Sequence, residues 1–192
     1  MSLKGLAPMF IALVVIANTG AAFAGPPASG KADTAETGNL GEALTVLHAV
    51  GQWSVDVSKM ADERAKSELV KNYARTIATA NADTDAKIVE IAKKNGIEVA
   101  ALDPKTEEGK SLLDRMKAET LLLSSLKGDA FDKEYMTLVT NTQQSVSHFL
   151  ESHKSATKDP AVKQYMADMK TTVDKRLKTA QDILAKVYGD KI

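Results

Sequence analysis

The sequence predicts an all-α protein, and three observations lead to that fold class. From residue 40 onward the apolar residues recur at steps of three and four, which is the spacing of one face of a helix. Aromatic residues make up only 5% of the chain and there are 5 prolines, which disfavours a β-sandwich of many short strands and turns. No segment has the alternation of a half-buried strand.

The first segment has the three parts of a cleaved signal peptide. Lys4 supplies a positive charge, residues 6–17 form an apolar run, and Ala22 and Ala24 give a small-x-small pattern. The alternative is a retained membrane anchor, but this run has about 12 residues whereas a spanning helix needs about 20. We therefore predict a signal peptide over 1–24 with cleavage near Ala24, a periplasmic or secreted location, and no membrane span after cleavage.

The next segment, residues 25–39, combines prolines, glycines and small polar side chains. This composition cannot bury a core, so it predicts a flexible leader followed by a helical bundle domain over 40–188. The first helix is expected over 40–62, where Asn39 can act as its N-terminal cap.

The second helix is expected over 66–94, with an apolar stripe that begins at Leu69. It should end at Asn95 and Gly96, because both residue types tolerate the left-handed conformation that closes helices. After a loop, a shorter helix is expected over 109–127.

Two long helices follow. One is expected over 130–156, with a stripe that runs from Phe131 through Thr142. The other is expected over 160–188, where Asp159 is a suitable cap and proline occupies the first helical position.

The order of these elements predicts how they pack. Four long amphipathic helices and one short helix are expected, and the short helix lies in the long crossover between the second and third long helices. This order fits an antiparallel four-helix bundle with one long crossover, for which the ferritin-like layout is the best-known example.

Charge and cysteine content limit the range of possible functions. The chain has 25 basic and 25 acidic residues, so it lacks the one-sign field that would hold nucleic acid. It has no cysteine, which excludes disulfides, thiolate metal sites, a thiol nucleophile and a lipoprotein attachment site.

The histidines are the weak candidates for a metal site. The chain has His48, His148 and His153, and the last two lie five residues apart, which places them on different sides of one helix. A di-iron bundle needs a glutamate three residues before the histidine. The residues found there are Thr45, Ser145 and Leu150. We therefore predict no catalytic residues, no metal site and no cofactor, and we interpret these histidines as hydrogen-bonded side chains of the bundle.

Methionine and tryptophan allow two interpretations. Thioethers bind copper(I), but at helical spacing methionines are more simply core residues. The methionines concerned are Met116, Met136, Met166 and Met169. Trp53 is expected to anchor two helices together.

Three runs of the sequence resemble one bacterial family. They are LGEALTVLHAVGQWSVDVSKMADERAKSELVKNYA, GDAFDKEYMTLVTNTQQSVSHFLE and KDPAVKQYMADMKTTVDKRLKTAQDI. The chain resembles, over about residues 40–185, an exported family known only as a domain of unknown function. The most specific features are the Phe131-Asp132…Tyr135-Met136 run and the Asp159-Pro160 helix start. The resemblance implies a ferritin-like helical bundle in the envelope.

The resemblance also locates three departures. Members of the family often have an Asp-His pair in the second helix, another in the third, and a histidine near the end of the last. The matching positions here are 79–81 with Thr-Ala-Asn, 141–143 with Asn-Thr-Gln, and Arg176. If the family's histidines bind a metal, the resemblance implies that this chain has lost that ability.

Three functional hypotheses follow. The first is a non-catalytic binding or interaction module of the cell envelope, with a protein or small-ligand partner and with homo-oligomers left open. The second is a ferritin-like metal- or haem-binding redox protein. The third is a carrier of lipophilic small ligands, suggested by wide apolar faces on the last two helices. Those faces contain Phe131, Tyr135 and Phe149, and Tyr165, Met166 and Met169.

Overall fold

The computed structural model describes residues 31–189, with side chains from residue 40 onward. The signal peptide predicted over 1–24 therefore lies outside the described residues. Within the described part there are five helices and no strand, which confirms the all-α class. The helices are α1 (Lys31–Arg64), α2 (Glu68–Lys94), α3 (Glu107–Ser125), α4 (Gly128–Ser152) and α5 (Pro160–Tyr188).

The first helix begins earlier than the sequence predicts. α1 starts at Lys31 instead of residue 40, so residues 31–39 of the leader expected over 25–39 are helical. Asn39 accordingly lies inside α1 and does not precede it. The physical reason is that the last proline before this point is Pro27, and the lysine, alanine and glutamate residues that follow extend a helix at little cost.

The other helices lie close to their expected positions. α5 has the expected bounds, and α2 and α3 differ from theirs by two residues at most. α4 ends at Ser152, four residues before the expected position, because the chain turns at His153. The predicted cap of α5 is confirmed, since Asp159 Oδ1 accepts hydrogen bonds from Ala161 N at 2.8 Å and Val162 N at 3.4 Å.

The helices pack as two hairpins. α1 lies along α2, and α4 lies along α5, and each pair is joined by a short connection. α1 also contacts α4, and α2 contacts α5. The long connection between the hairpins carries α3, which Trp53 ties to α1 through a hydrogen bond from Nε1 to Thr120 Oγ1 at 2.9 Å. None of the described helices is apolar over enough length to cross a membrane.

Two separate apolar cores fill the space between the hairpins. The first, here called the turn-side core, lies near the α1–α2 connection and includes Val57, Ile77 and Phe131. The second, the far core, includes Leu44, Ile91 and Met166.

Next to the turn-side core the buried side chains of Asp132 and Tyr135 are paired, whereas the buried Tyr188 hydroxyl has no hydrogen-bonding partner among the described residues. Asp132 has no exposed surface, and its carboxylate accepts hydrogen bonds from Lys66 N at 2.9 Å and Ser67 N at 2.7 Å. These two N–H groups lie directly before the first residue of α2. The Ser67 side chain makes no capping hydrogen bond, so Asp132 of α4 supplies the acceptor instead. Tyr135 is also fully buried, and its hydroxyl lies 2.9 Å from Ser58 Oγ.

Arg64 completes this region. We call the region formed by Ser58, Arg64, Asp132 and Tyr135 the closed end. Its guanidinium lies over the Phe131 ring at 4.9 Å and donates to Leu126 O at 2.9 Å, which is cation–π and hydrogen-bonding geometry combined. The residues that carry the family resemblance at the start of α4 therefore have a structural role here.

Candidate ligand-binding cavity

A cavity of about 190 Å³ lies where the two cores fail to meet. At this level the four long helices present small or polar residues to one another, and such residues cannot fill the space that leucine or phenylalanine would fill. These residues are Gly51 and Ser54 of α1, Asn81 and Thr84 of α2, Thr142 and Gln143 of α4, and Thr172 and Arg176 of α5. Apolar side chains complete the wall. They are Leu47, Val50, Ile88, Val146, Met169 and Val173.

A chain of hydrogen bonds crosses the cavity wall. Arg176 Nη1 donates to Asn81 Oδ1 at 2.9 Å, and Asn81 Nδ2 donates to Ser54 Oγ at 2.7 Å. The hydroxyl of Tyr73 donates to the backbone oxygen of Arg176 at 3.1 Å. α5, α2 and α1 are thereby held at fixed positions around the cavity.

Arg176 is a half-buried cation without an acidic partner. No carboxylate among the described residues lies within 4.0 Å of its guanidinium nitrogens. Burial lowers the pKa of Arg176, and the nearby Tyr73 and Tyr165 oxygens oppose that change. A guanidinium with so basic an ordinary pKa nevertheless keeps its charge at neutral pH.

Gln143 is a buried residue whose amide has no partner among the described residues. Its exposed fraction is only 4%, it lines the cavity, and its side chain makes no hydrogen bond to any described residue. Its amide atoms face the open space of the cavity, since the one side-chain polar atom that is both buried and unpaired among the described residues is the Tyr188 hydroxyl oxygen. This amide is therefore available to a molecule that enters the cavity.

Two further groups form the edge of the cavity. Tyr165 donates its hydroxyl to Thr84 O at 3.2 Å, and burial raises the pKa of this tyrosine to about 12, so it stays neutral. Asp85 accepts a hydrogen bond from His48 Nδ1 at 2.6 Å, and Gln52 Nε2 lies 3.5 Å from its other oxygen. The charge of Asp85 is thus directed towards α1.

The three histidines do not form one site. His48 is bound to Asp85, with 18% of its side chain exposed, and it does not line the cavity, so its ring is not placed to act on a molecule inside. His148 is exposed. His153 stacks on Phe149 at 4.0 Å and donates to its backbone oxygen at 2.9 Å. In the described part of the chain no three histidine, aspartate or glutamate side chains are grouped to hold a metal ion.

The methionines are divided between the cores. Met136 is buried in the turn-side core, whereas Met166 and Met169 are buried in the far core. Met116 is partly buried on α3. The structure therefore does not bring these four thioethers together.

The three departures found by resemblance do come together. Asn81, Thr142, Gln143 and Arg176 all line the same cavity. Periodicity places Thr142 on the α4 stripe but does not reveal that Gln143 is buried. The sequence predicted no binding site at these positions, and the family's histidine positions are the signal that could have indicated one.

Two crystal structures share this fold. A DUF305 protein of Streptomyces coelicolor, described as a secreted protein, matches with 19% identity and a TM-score of 0.63 over 81% of this chain and 94% of its own. A DUF305 fragment from Deinococcus radiodurans matches with 15% identity and a TM-score of 0.68 over 84% of this chain and all of its own length.

The sequence itself matches one family model. The model is described as Domain of unknown function (DUF4142), and it matches residues 25–183. This match confirms the resemblance to a bacterial domain-of-unknown-function family. No curated protein matches the sequence.

Proposed function

The chain belongs to the DUF4142 family of unknown function, and from that premise we propose that it is a non-catalytic binding module whose central cavity holds a small molecule. The observation that carries this proposal is Gln143, a buried residue whose amide faces the cavity with no hydrogen-bonding partner among the described residues. A bound molecule could form with this amide the hydrogen bonds that the described residues do not provide.

The size of the cavity limits what it can hold. A cavity of about 150 Å³ binds benzene, so a cavity of about 190 Å³ has room for roughly six to ten non-hydrogen atoms. A haem or a long-chain lipid is far larger than this. A ligand held wholly inside this volume would be small, which supports a small-ligand carrier over a haem-binding redox protein.

The arrangement of side chains supports binding without catalysis. Ser54 Oγ is paired with Asn81, and the His48–Asp85 pair keeps its imidazole out of the cavity wall. A hydrolytic site would need a nucleophile within hydrogen-bonding reach of a base. The side chains around the cavity instead offer donors, acceptors and apolar contacts.

The proposal includes a ferritin-like four-helix bundle and an envelope location. Two antiparallel hairpins joined by a long crossover support the bundle arrangement. The signal peptide predicted over 1–24 supports export, and so does the fold shared with a Streptomyces coelicolor protein described as secreted. The protein would then act in the periplasm or outside the cell.

The direct test is an NMR titration with benzamide, a neutral molecule of suitable size. We expect benzamide to shift the side-chain amide signals of Gln143. Val146→Phe should abolish these shifts, because Val146 lines the cavity and the larger ring would occupy it. Val89→Phe is the matched control, since Val89 is 43% exposed on α2 and the same substitution there should leave binding unchanged.

Native mass spectrometry of protein from the envelope fraction provides the second measurement. We expect the wild-type protein to carry a small molecule that is absent from Val146→Phe and present in Val89→Phe. If the wild-type mass equals that of the chain and benzamide leaves the Gln143 signals unchanged, the proposal of a ligand-binding cavity is wrong.

A further inference from the structure

The cavity wall contains one cation, Arg176, which forms no ion pair with a described carboxylate, although Asp85 and Asp168 lie elsewhere in the same wall. Resting on the proposed function, we infer that the ligand is a small monocarboxylate whose anionic group pairs with Arg176 and whose apolar body lies against the far core. Nothing in the family description or in the structural neighbours assigns such a ligand.

The donors of Arg176 are the first argument. A guanidinium has five N–H donors arranged as a fork that matches a carboxylate. Of these, Nη1 donates to Asn81 Oδ1, and no other hydrogen bond from this guanidinium to a described residue is formed. The bond to Asn81 also fixes the orientation of the side chain, so the remaining donors are preorganised for an incoming oxyanion.

The acidic residues of the wall are the second argument, because they have partners of their own. Asp85 accepts from His48, and Asp168 accepts from Gln164 Nε2 at 2.9 Å. Their negative charge nevertheless raises the cost of a second negative charge on the ligand. A single carboxylate therefore fits this wall better than a dianion such as phosphate.

The apolar part of the wall is the third argument. Ile88, Met169 and Val173 belong to the far core and also line the cavity. A hydrocarbon or aromatic body placed there would be removed from water, which contributes about 25 cal/mol per Å² of apolar surface. The cavity has room for roughly six to ten non-hydrogen atoms. The ligand class is therefore a short aliphatic or single-ring carboxylate.

The experiment compares benzoate with benzamide, which have nearly the same shape and differ in charge. Binding of each to the full-length protein is measured by NMR titration at constant ionic strength. We expect benzoate to bind at least about tenfold more tightly, because charge-assisted bidentate hydrogen bonds are roughly twice as strong as neutral ones. Inorganic phosphate should bind more weakly than benzoate.

Arg176→Gln is the test variant. It should reduce benzoate affinity about tenfold more than benzamide affinity, since the variant removes the ion pair that only benzoate can form. The matched control is Lys163→Gln, which removes the same charge from an exposed position of α5 outside the cavity. Continued benzamide binding by Arg176→Gln shows that the variant is folded around its cavity.

The outcomes separate the two proposals. If benzoate and benzamide bind wild type with equal affinity, or if Arg176→Gln leaves benzoate binding intact, the carboxylate inference is wrong and the cavity proposal stands. Tighter binding of phosphate than of benzoate also overturns the inference. If none of the three probes binds, both proposals fail.

Discussion

The closed end and the central cavity both contain buried polar residues, but these residues differ in whether they have hydrogen-bonding partners within the chain. At the closed end Asp132 and Tyr135 have no exposed surface and each has its hydrogen-bonding partners in the chain. At the cavity, Gln143 is almost as deeply buried and has no partner in the described residues. The two regions differ in where the partner of a buried polar residue comes from: for Asp132 and Tyr135 it is another part of the chain, and for Gln143 it is whatever occupies the cavity.

Removal of the Asp132 carboxylate should produce the largest effect. In Asp132→Ala, the N–H groups of Lys66 and Ser67 lose their acceptor inside the protein. We expect the free energy of unfolding to fall by about 3 kcal/mol, measured by chemical denaturation. Asp56→Ala, at an exposed position of α1, is the control and should change stability little. A loss below about 1 kcal/mol would show that the closed end does not depend on this carboxylate.

A smaller loss is expected from Tyr135→Phe. The variant removes the hydroxyl and leaves Ser58 Oγ buried without its partner, so unfolding should become easier by about 1 kcal/mol. Tyr165→Phe is the comparison. Its hydroxyl donates to the backbone oxygen of Thr84, which lies within α2, so the loss of stability should be smaller than in Tyr135→Phe. Equal losses in the two variants would contradict a closed end that depends on side-chain pairing.

At the cavity, loss of a polar group should have the opposite sign. We expect Gln143→Leu to raise the free energy of unfolding of ligand-free protein by up to about 1 kcal/mol, because a buried residue whose amide makes no hydrogen bond to the described residues is replaced by an apolar side chain. Gln144→Leu, at the exposed neighbouring position, is the matched control. Destabilisation by Gln143→Leu, with Gln144→Leu neutral, would mean that the amide has a partner in the folded protein.

The smallest effect concerns Glu119 of α3, which lies beside the closed end. Burial and the nearby Glu134 raise the pKa of Glu119, while Arg115 lowers it. Because the pKa is higher in the folded state, the favourable contribution of this group is present at acid pH and is lost as the pH rises through the raised pKa. Glu119→Gln should therefore be more stable than wild type by about 0.5 kcal/mol at pH 7.

Thermal unfolding at pH 4 and pH 7 measures this effect. The gain from Glu119→Gln should disappear at the lower pH, where the wild-type carboxyl is largely protonated. Glu98→Gln, at an exposed position outside the helices, provides the comparison. A gain of equal size at both pH values would exclude ionisation as its cause.

Local patterns in the sequence predicted the helices well. The caps and apolar spacing located α2 to α5, because each depends on residues a few positions apart. The same spacing was less accurate about faces: Leu69 was placed on the α2 stripe, yet it is 38% exposed and Val70 is buried instead. Adjacent residues of a helix point about 100° apart, so a stripe that is assigned one residue off selects the wrong one of two apolar neighbours.

The cavity depends on contacts that local patterns do not contain. Asn81 and Arg176 are 95 positions apart, and only the packing of α2 against α5 brings their side chains together. The capping of the α1–α2 connection by Asp132 was missed for the same reason, since a charged residue inside a helix gives no sign of a distant acceptor role. The family resemblance marked the segments 79–81 and 141–143 and the position of Arg176, but only the structure shows that they line one cavity.

The contact between Asp132 and the α1–α2 connection also has a consequence for folding kinetics. The bonded residues are 65 and 66 positions apart, so the first hairpin leaves the ribosome well before its acceptor does. Closing a loop of this length costs entropy that only later packing repays. The first hairpin therefore reaches its final stability only after α4 docks onto the α1–α2 connection.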